Sequence, residues 1–586
     1  MNIDPIVLAL TQNRLDDISR RMGQVMLRTA HSPIFSQYHD FSNFITDARG
    51  TLVSQADGVP IQSGNGGFTV RALLDAFGDD IHEGDVFLSN DPYVAGGNHL
   101  PDWVVTQPAF ADGHLVAFAC NRGHQSDIGG GAAGTVNPEA TEIFHEGIRL
   151  PPIRIVEKGR ICEDVWQLLL INSRTPRLQD GDLRAMVGST RIGAESVAAL
   201  ARELGVDRTF SCLEGILDHA DRRFRAALRT LPDGRYEGLE ITDNDCFRSV
   251  DIAIRVTVAV AGDSVTVDFA GTDPQIKGFK NSSIANTHSA VYLAFTTFFD
   301  PDIPRNEGTY RAIEIIAPEG TIINARPPAP MTMCTVSVGH EIIHAVWKAL
   351  AEADPSRASA GWAKNIHGGT AGGIGTDRPF VIYHWNAMAG AGAVRGRDGF
   401  NQIGHLISLG GLTLPNVEGF EQVHPMTIRK VEFRCDAAGS GAFRGGTGVH
   451  YEAEVVGASQ HSFRGEGLAS PSGYGVLGGG DGAKGEMMMY PEGGNAFEPP
   501  QYGAMDVESF RITASSPAGG GWGDPLERER GRVLRDVRDG LVSRGAAHDV
   551  YGVVINGDGR SLDEAATERR RADLRKSERE PAPALS

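Results

Sequence analysis

"DWVVTQPAFADGHLVAFACNRGH", residues 102–124, is the stretch that decides how the first part of the chain is built. Two runs rich in β-branched and aromatic residues flank Ala111-Asp112-Gly113, a turn sequence, so the stretch reads as an antiparallel hairpin. With the turn near Asp112, opposed residues keep a roughly constant sum of numbers. Asp102 is then expected to face residue 122 or 123, and His124 to face residue 100 or 101. Pro108 has no N–H to give to a ladder, which implies an edge or a bulge there. The open end of the hairpin joins "GGNHLPDW" (96–103) to "NRGHQSD" (121–127), bringing His99, Asp102 and His124 together with Asp127 close by. Two imidazoles and a carboxylate suit zinc, manganese or iron(II) and leave coordination positions open. A metal so held polarises a carbonyl or makes hydroxide available near neutral pH. Asp127 is expected to support the ligands from behind or to act as a general base.

Outward from the hairpin, residues 5–30 place Ile6, Leu8, Leu10, Leu15, Ile18, Met22 and Met26 at helical spacing. "DFSNFITDARGTLVSQ" (40–55) reads as a second hairpin, and residues 163–230 are helix-rich. Strand-like runs resume after Leu231, followed by the helical "NTHSAVYLAFTTFF" and "GHEIIHAVWKALAEA". From about Gly368 to Gly523 the chain is glycine-rich with short strands. The expected fold class is therefore α+β, with several mixed sheets, helices and a glycine-rich β region. The expected units are 1–230, carrying the metal site; 231–365, mixed β and α; 366–525, glycine-rich β; and 526–586. The last is read as one helix, "ERERGRVLRDVRDGLVSRG", followed by a frayed charged tail.

Composition narrows the function. A net charge of −19 on 586 residues lacks the basic face that nucleic acid requires. The longest apolar runs are too short to span a bilayer, and the N-terminus lacks the pattern of a secretory leader, so no membrane and a cytoplasmic location are expected. Six scattered cysteines form no C-x-x-C pair. No phosphate-binding G-x-x-x-x-G-K-[ST] motif occurs, and "DIGGGAAGTVN" and "SSPAGGGWGDP" read as glycines permitting tight turns and close packing. "HEIIH" (340–344) matches the H-E-x-x-H zinc pattern formally, but neither a third ligand nor a cleft is evident beside it.

The residues of the candidate site also carry a resemblance. "DFSNFITDARGTLVSQ", "GDVFLSNDPYVAGGNHLPDWVVTQPAF", "NRGHQSDIGG", "EIFHEGIRLPP", "VDFAGTDPQIKGFKN" and "SSPAGGGWGDP" together resemble the hydantoinase B/oxoprolinase family over nearly the whole chain. That family comprises the second subunit, or half, of ATP-dependent N-methylhydantoinases, 5-oxoprolinases and caprolactamase-type lactamases. The large subunits of acetone and acetophenone carboxylases are related to it. The resemblance implies a divalent metal, manganese in the carboxylase branch or zinc or iron, on His99, Asp102 and His124. It implies Asp40 as a further ligand or supporting acid, and Glu146 of "EIFHEGIR" as a catalytic pocket residue. Asn98 and Trp103 stand where relatives often carry other residues, which implies a differently shaped pocket.

The resemblance further implies an actin-like ATPase partner of the hydantoinase A type, which binds ATP and magnesium and phosphorylates a small cyclic amide. This chain would act on the activated intermediate in a heterotetramer or larger assembly. The chain is shorter than expected of a carboxylase large subunit, which tilts the reading from ketone carboxylation to hydrolysis of a hydantoin, oxoproline or lactam ring. A non-catalytic scaffold is the third reading.

Overall fold

The structure, a computed structural model, describes residues 3–56 and 58–577. Its first sheet lies entirely within 41–161. Its strands are β1 (Phe41–Asp47), β2 (Leu52–Gln55), β3 (Val86–Ser89), β4 (Asp102–Ala111), β5 (His114–His124), β6 (Ile153–Glu157) and β7 (Arg160–Ile161), in the order β2-β1-β5-β4-β3-β6-β7. β4 and β5 form the expected hairpin, but Asp102 pairs directly with His124. One residue of the difference from the expected register arises from an irregularity between Ala109 and Phe110: the pairing of Phe110 with Leu115 would carry Asp102 to Gly123, and the shift carries it to His124. Pro108 lies beside it, past the last β3 partner of β4, Thr106. Its missing N–H therefore leaves no gap in the β3–β4 ladder.

Helices Pro5–Thr29 and Pro176–Leu204 pack on β1, β4 and β5. The first buries Leu15, Ile18, Met22 and Met26, an i, i+3/i+4 stripe, and is capped by Asp4, whose carboxylate accepts from the Ile6 N–H at 2.8 Å. Ile6 and Leu10, expected in the same stripe, remain exposed.

β8 (Gly234–Asn244), β9 (Ser249–Ala261), β10 (Ser264–Asp268) and β11 (Ile313–Ile316) make a second sheet, with β10 and β11 parallel. Helix Gly339–Ala353 packs on it and against helix Ile284–Phe298. Two further sheets fall within 366–515. One runs β13 (Phe380–Tyr383), β12 (Ile366–Gly372), β16 (Ser459–Gly465), β18 (Tyr502–Val507). The other runs β14 (Met426–Phe433), β15 (Val449–Val455), β19 (Phe510–Ser515), β17 (Glu486–Pro491).

Between these sheets the glycine-rich segments cross as bare backbone. The amides of Gly519, Gly520 and Gly521 donate to the carbonyls of Gly446, Gly361 and Gly480 at 2.9, 3.0 and 2.9 Å. In this way "SSPAGGGWGDP" serves packing, as its composition suggests.

Two expectations for the C-terminus are corrected. The stretch read as one helix is two, Arg530–Arg538 and Arg544–Asp549, divided at Gly540 with φ +74°. The tail is not frayed up to Ser577: helix Glu564–Ser577 forms there, with Arg571 donating to the carbonyls of Arg528 and Tyr551 at 2.7 and 3.1 Å. The remainder of the tail, 578–586, lies outside the described residues. All six cysteines are free. No helix among the described residues is long and apolar enough to cross a membrane.

Candidate metal centre

The hairpin register and one tight turn assemble the centre. At Gly97 the chain passes so close to Asn90 that a Cβ would lie 2.1 Å from its carbonyl oxygen, a position only glycine fills. The turn that follows is closed by the Asp102 N–H donating to the His99 carbonyl at 3.2 Å, which puts the two side chains on one side. His124 ends β5 directly opposite Asp102, and its N–H donates to the Asp40 carbonyl at 3.1 Å, tying in the start of β1.

Asp102 Oδ1 lies 2.8 Å from His99 Nε2 and 3.2 Å from His124 Nδ1. All three residues are buried. Among the described residues they form the one group of three or more histidine, cysteine or acidic side chains whose ligand atoms converge, within 4.8 Å of one another. His340 and His344 belong to no such group. Their Nε2 atoms lie 3.2 Å apart, and both residues are buried.

The donor set fits a divalent metal. His99 Nδ1 is 2.5 Å from the Thr332 carbonyl, which accepts its proton and turns Nε2 toward Asp102, where a metal would replace the Nε2 proton. Burial favours the acid form of Asp102, yet the two imidazoles hold it well below the usual carboxylate range. Burial opposes a charged His99, but the Asp102 carboxylate outweighs it and raises the imidazole. A cation here would take over the role these histidine protons play.

Asp40 lines the same cavity, outside the three-residue cluster. Burial pushes its carboxyl up to about 6, and Gln62 donates to it at 2.8 Å.

The other two expected site acids lie behind the cavity and do not line it. Glu146 accepts the N–H groups of Met331 and Thr332 at 2.9 and 2.7 Å, and burial raises its carboxyl to about 7. Since the Thr332 carbonyl receives His99, Glu146 is linked to the cluster through Thr332 and does not line its cavity. Asp127 accepts from the amides of Gly129, Gly134 and Arg174 at 3.1, 3.0 and 2.8 Å, and from the Arg174 guanidinium at 3.2 Å. Its oxygens are spent on folding the glycine loop, and it is not poised as a base.

The cavity walls come largely from segments sequence reasoning missed: Thr332 and Thr335, then Tyr383, Trp385, His405 and Arg464. The space is small, about 40 Å³, room for an ion with a few waters. Tyr383 donates to the Gly134 carbonyl at 2.9 Å and lies 3.0 Å from Thr135 Oγ1, itself 3.3 Å from His124 Nε2. No local motif announces these residues, since they are 200 or more positions from the hairpin.

Comparison with known proteins places this chain among relatives. A family model described as "Hydantoinase B/oxoprolinase" matches residues 4–525. Caprolactamase subunit beta of Pseudomonas jessenii is 35% identical over 97% of this chain and 99% of its own. A solved structure of ATP-dependent caprolactamase from that organism superposes with a TM-score of 0.88, at 34% identity, covering 98% of this chain and 100% of that one. 5-Oxoprolinase of Saccharomyces cerevisiae is 26% identical over 89% of this chain, which spans 42% of that protein's length. A nucleotide-free acetone carboxylase structure shares the fold, with a TM-score of 0.87 at 20% identity, covering 99% of this chain and 84% of that one.

Proposed function

Since the chain belongs to the hydantoinase B/oxoprolinase family, we propose that it is the ring-opening subunit of a two-component ATP-dependent cyclic-amide hydrolase acting in the cytoplasm. The observation that carries this reading is the buried His99–Asp102–His124 cluster in a chain 35% identical to a caprolactamase subunit over nearly its full length. An unstrained amide is a poor electrophile, so a partner must activate it. The partner we propose is an actin-like ATPase of the hydantoinase A type that holds ATP and magnesium and transfers phosphate to the amide oxygen, in a heterotetramer or larger complex.

In this reading His99, Asp102 and His124 hold a divalent metal, manganese or else zinc or iron, with Asp40 as a further ligand or supporting acid. When bound, that ion supplies Lewis acidity and a water of lowered pKa. The chain's own residues do the rest. Thr332 and Glu146 fix the His99 tautomer, and the walls of Tyr383, Trp385 and Ile407 exclude bulk water from an activated intermediate that water would otherwise consume unproductively. The overall change adds one water across the ring C–N bond, while ATP and a second water give ADP and phosphate.

The test is to co-purify the chain with its ATPase partner and follow ATP hydrolysis against caprolactam, hydantoin, 5-oxoproline and simple ketones. A product heavier by one water supports ring opening, and one heavier by CO2 supports a carboxylase instead. Absence of any substrate-stimulated ATPase sinks both. Full activity after His124→Ala in a metal-free complex supports the scaffold reading.

A further inference from the structure

Arg464 stands out among the buried cations of the molecule. It is 7% exposed and lines the cavity of the candidate metal centre, on the wall contributed by β16. Its Nη1 has only the Met333 sulfur, at 3.9 Å, while Nε and Nη2 make no hydrogen bond, and no carboxylate among the described residues pairs with it. Other buried cations are provided for, even Arg122, which has no carboxylate partner but donates to Asn65, Thr69 and the Gly96 carbonyl. Arg528 has Asp398 and Asp536, each at 2.7 Å; Lys364 has Glu341 at 3.0 Å; Lys280 has Glu466 at 3.0 Å.

Glu466, two residues further on and one past the end of β16, is the nearest acid to Arg464 in the sequence. It is instead engaged by Lys280 and by the Tyr502 hydroxyl. An unpaired buried charge is costly, and a fold retains one where a ligand brings the counter-charge. The guanidinium is held in position: its Cζ sits 5.4 Å from the centre of the Tyr383 ring, whose hydroxyl is fixed by Gly134 and Thr135, the latter beside His124. Burial without a partner pulls the Arg464 pKa down to about 10, so it stays charged at neutral pH.

We propose that Arg464 is an oxyanion subsite of the centre: its Nε and Nη2, buried and without an acceptor, receive two oxygens of a phosphoryl group when the walls of the small cavity give way to admit it. A guanidinium edge with two free N–H groups matches phosphate or carboxylate bidentately, which a lysine does not. Resting on the function proposed above, the phosphoryl group is that of the activated amide. Arg464 then recognises the activated intermediate and ignores the unactivated ring, which lacks the anion. The same chemistry would take a carboxylate or bicarbonate, and the two sources are separable by competition.

The experiment measures binding of inorganic phosphate to the metal-loaded chain by calorimetry, for wild type, Arg464→Met and Arg464→Lys, with metal content and thermal midpoint recorded for each. The expected result is saturable binding by wild type, at least tenfold weaker in R464M and partly restored in R464K, with metal content unchanged. Competition by bicarbonate but not phosphate assigns the subsite to a carboxylate source and refutes the phosphoryl assignment. Equal phosphate binding by R464M, or binding of neither anion by wild type, overturns the subsite. Should R464M misfold, R464K decides, since it keeps the charge and volume and loses only the bidentate edge. Because binding is read without turnover, a chain that opens no cyclic amide can still pass this test, and the two failures remain distinguishable.

Discussion

Glu146 and His99 are linked through a single residue. The Glu146 carboxylate takes the Thr332 N–H at 2.7 Å, and the Thr332 carbonyl takes His99 Nδ1 at 2.5 Å. A buried acid thus reaches the candidate centre without entering it. Glu146→Gln keeps the shape but turns one acceptor into a donor facing two N–H groups. Groups that orient a metal ligand typically change affinity about 10-fold to 100-fold when altered. We expect metal affinity of E146Q to fall by roughly tenfold, read by chelator competition, with Glu146→Ala worse. Unchanged affinity in both would remove the bracing role.

The three converging residues should stand or fall together. Asp102→Asn and His124→Ala should each abolish stoichiometric metal by elemental analysis and lower ring opening by the complex about a hundredfold or more. Retention of metal by either variant would argue for a different ligand set, with Asp40 the first alternative to examine.

Asp127 is expected to matter for stability and not for proton transfer. Asp127→Ala strips four donors of their acceptor, including the Arg174 guanidinium. Leaving these donors without an acceptor costs about 1–3 kcal/mol, visible as a lower urea midpoint. Residual turnover should keep the wild-type limbs of its pH profile. Loss of the basic-form limb in D127A would restore Asp127 as a base.

Gly123, just before His124, lets Phe35 close over the strand end. A Cβ there would lie 2.4 Å from the Phe35 ring. Gly123→Ala should therefore destabilise by about 1–3 kcal/mol through overpacking. A double variant with Phe35→Leu should recover part of that loss in urea unfolding, and no recovery would locate the strain elsewhere.

Histidines in the core set an acid limit. Burial lowers His340, His344 and His461 well below the ordinary value and His384 to about 3. Near pH 7 neither folded nor unfolded chain protonates them appreciably, so they cost nothing. Below about 6.5 the unfolded chain takes up protons that the folded chain refuses, so stability falls as pH falls, by roughly 1.4 kcal/mol per pH unit per histidine. The loss continues down to the folded values. Unfolding at pH 5 should take up about four protons from this set, measured from the slope of stability against pH. A flat stability between pH 6.5 and 5 would contradict their neutrality.

The hairpin, its turn and the identity of His99, Asp102 and His124 were legible in the amino-acid sequence, because strand alternation and turn chemistry act over a few residues. The one-step register change at Ala109/Phe110 was not, since a bulge depends on how β4 leaves the reach of β3. Asp127 and Glu146 looked like reacting groups beside these three residues. Only the tertiary structure showed that Gly134 and Arg174 consume the first and that Met331 and Thr332 consume the second. Tyr383 and Arg464 entered the site unannounced, brought there by sheet packing across hundreds of residues. What the sequence determined by itself was the donor chemistry, fixed by side-chain type and short-range geometry. What only the fold decided was which acids stay free, which cation stays unpaired, and how water is kept out, because those depend on every neighbour that burial brings within hydrogen-bond reach.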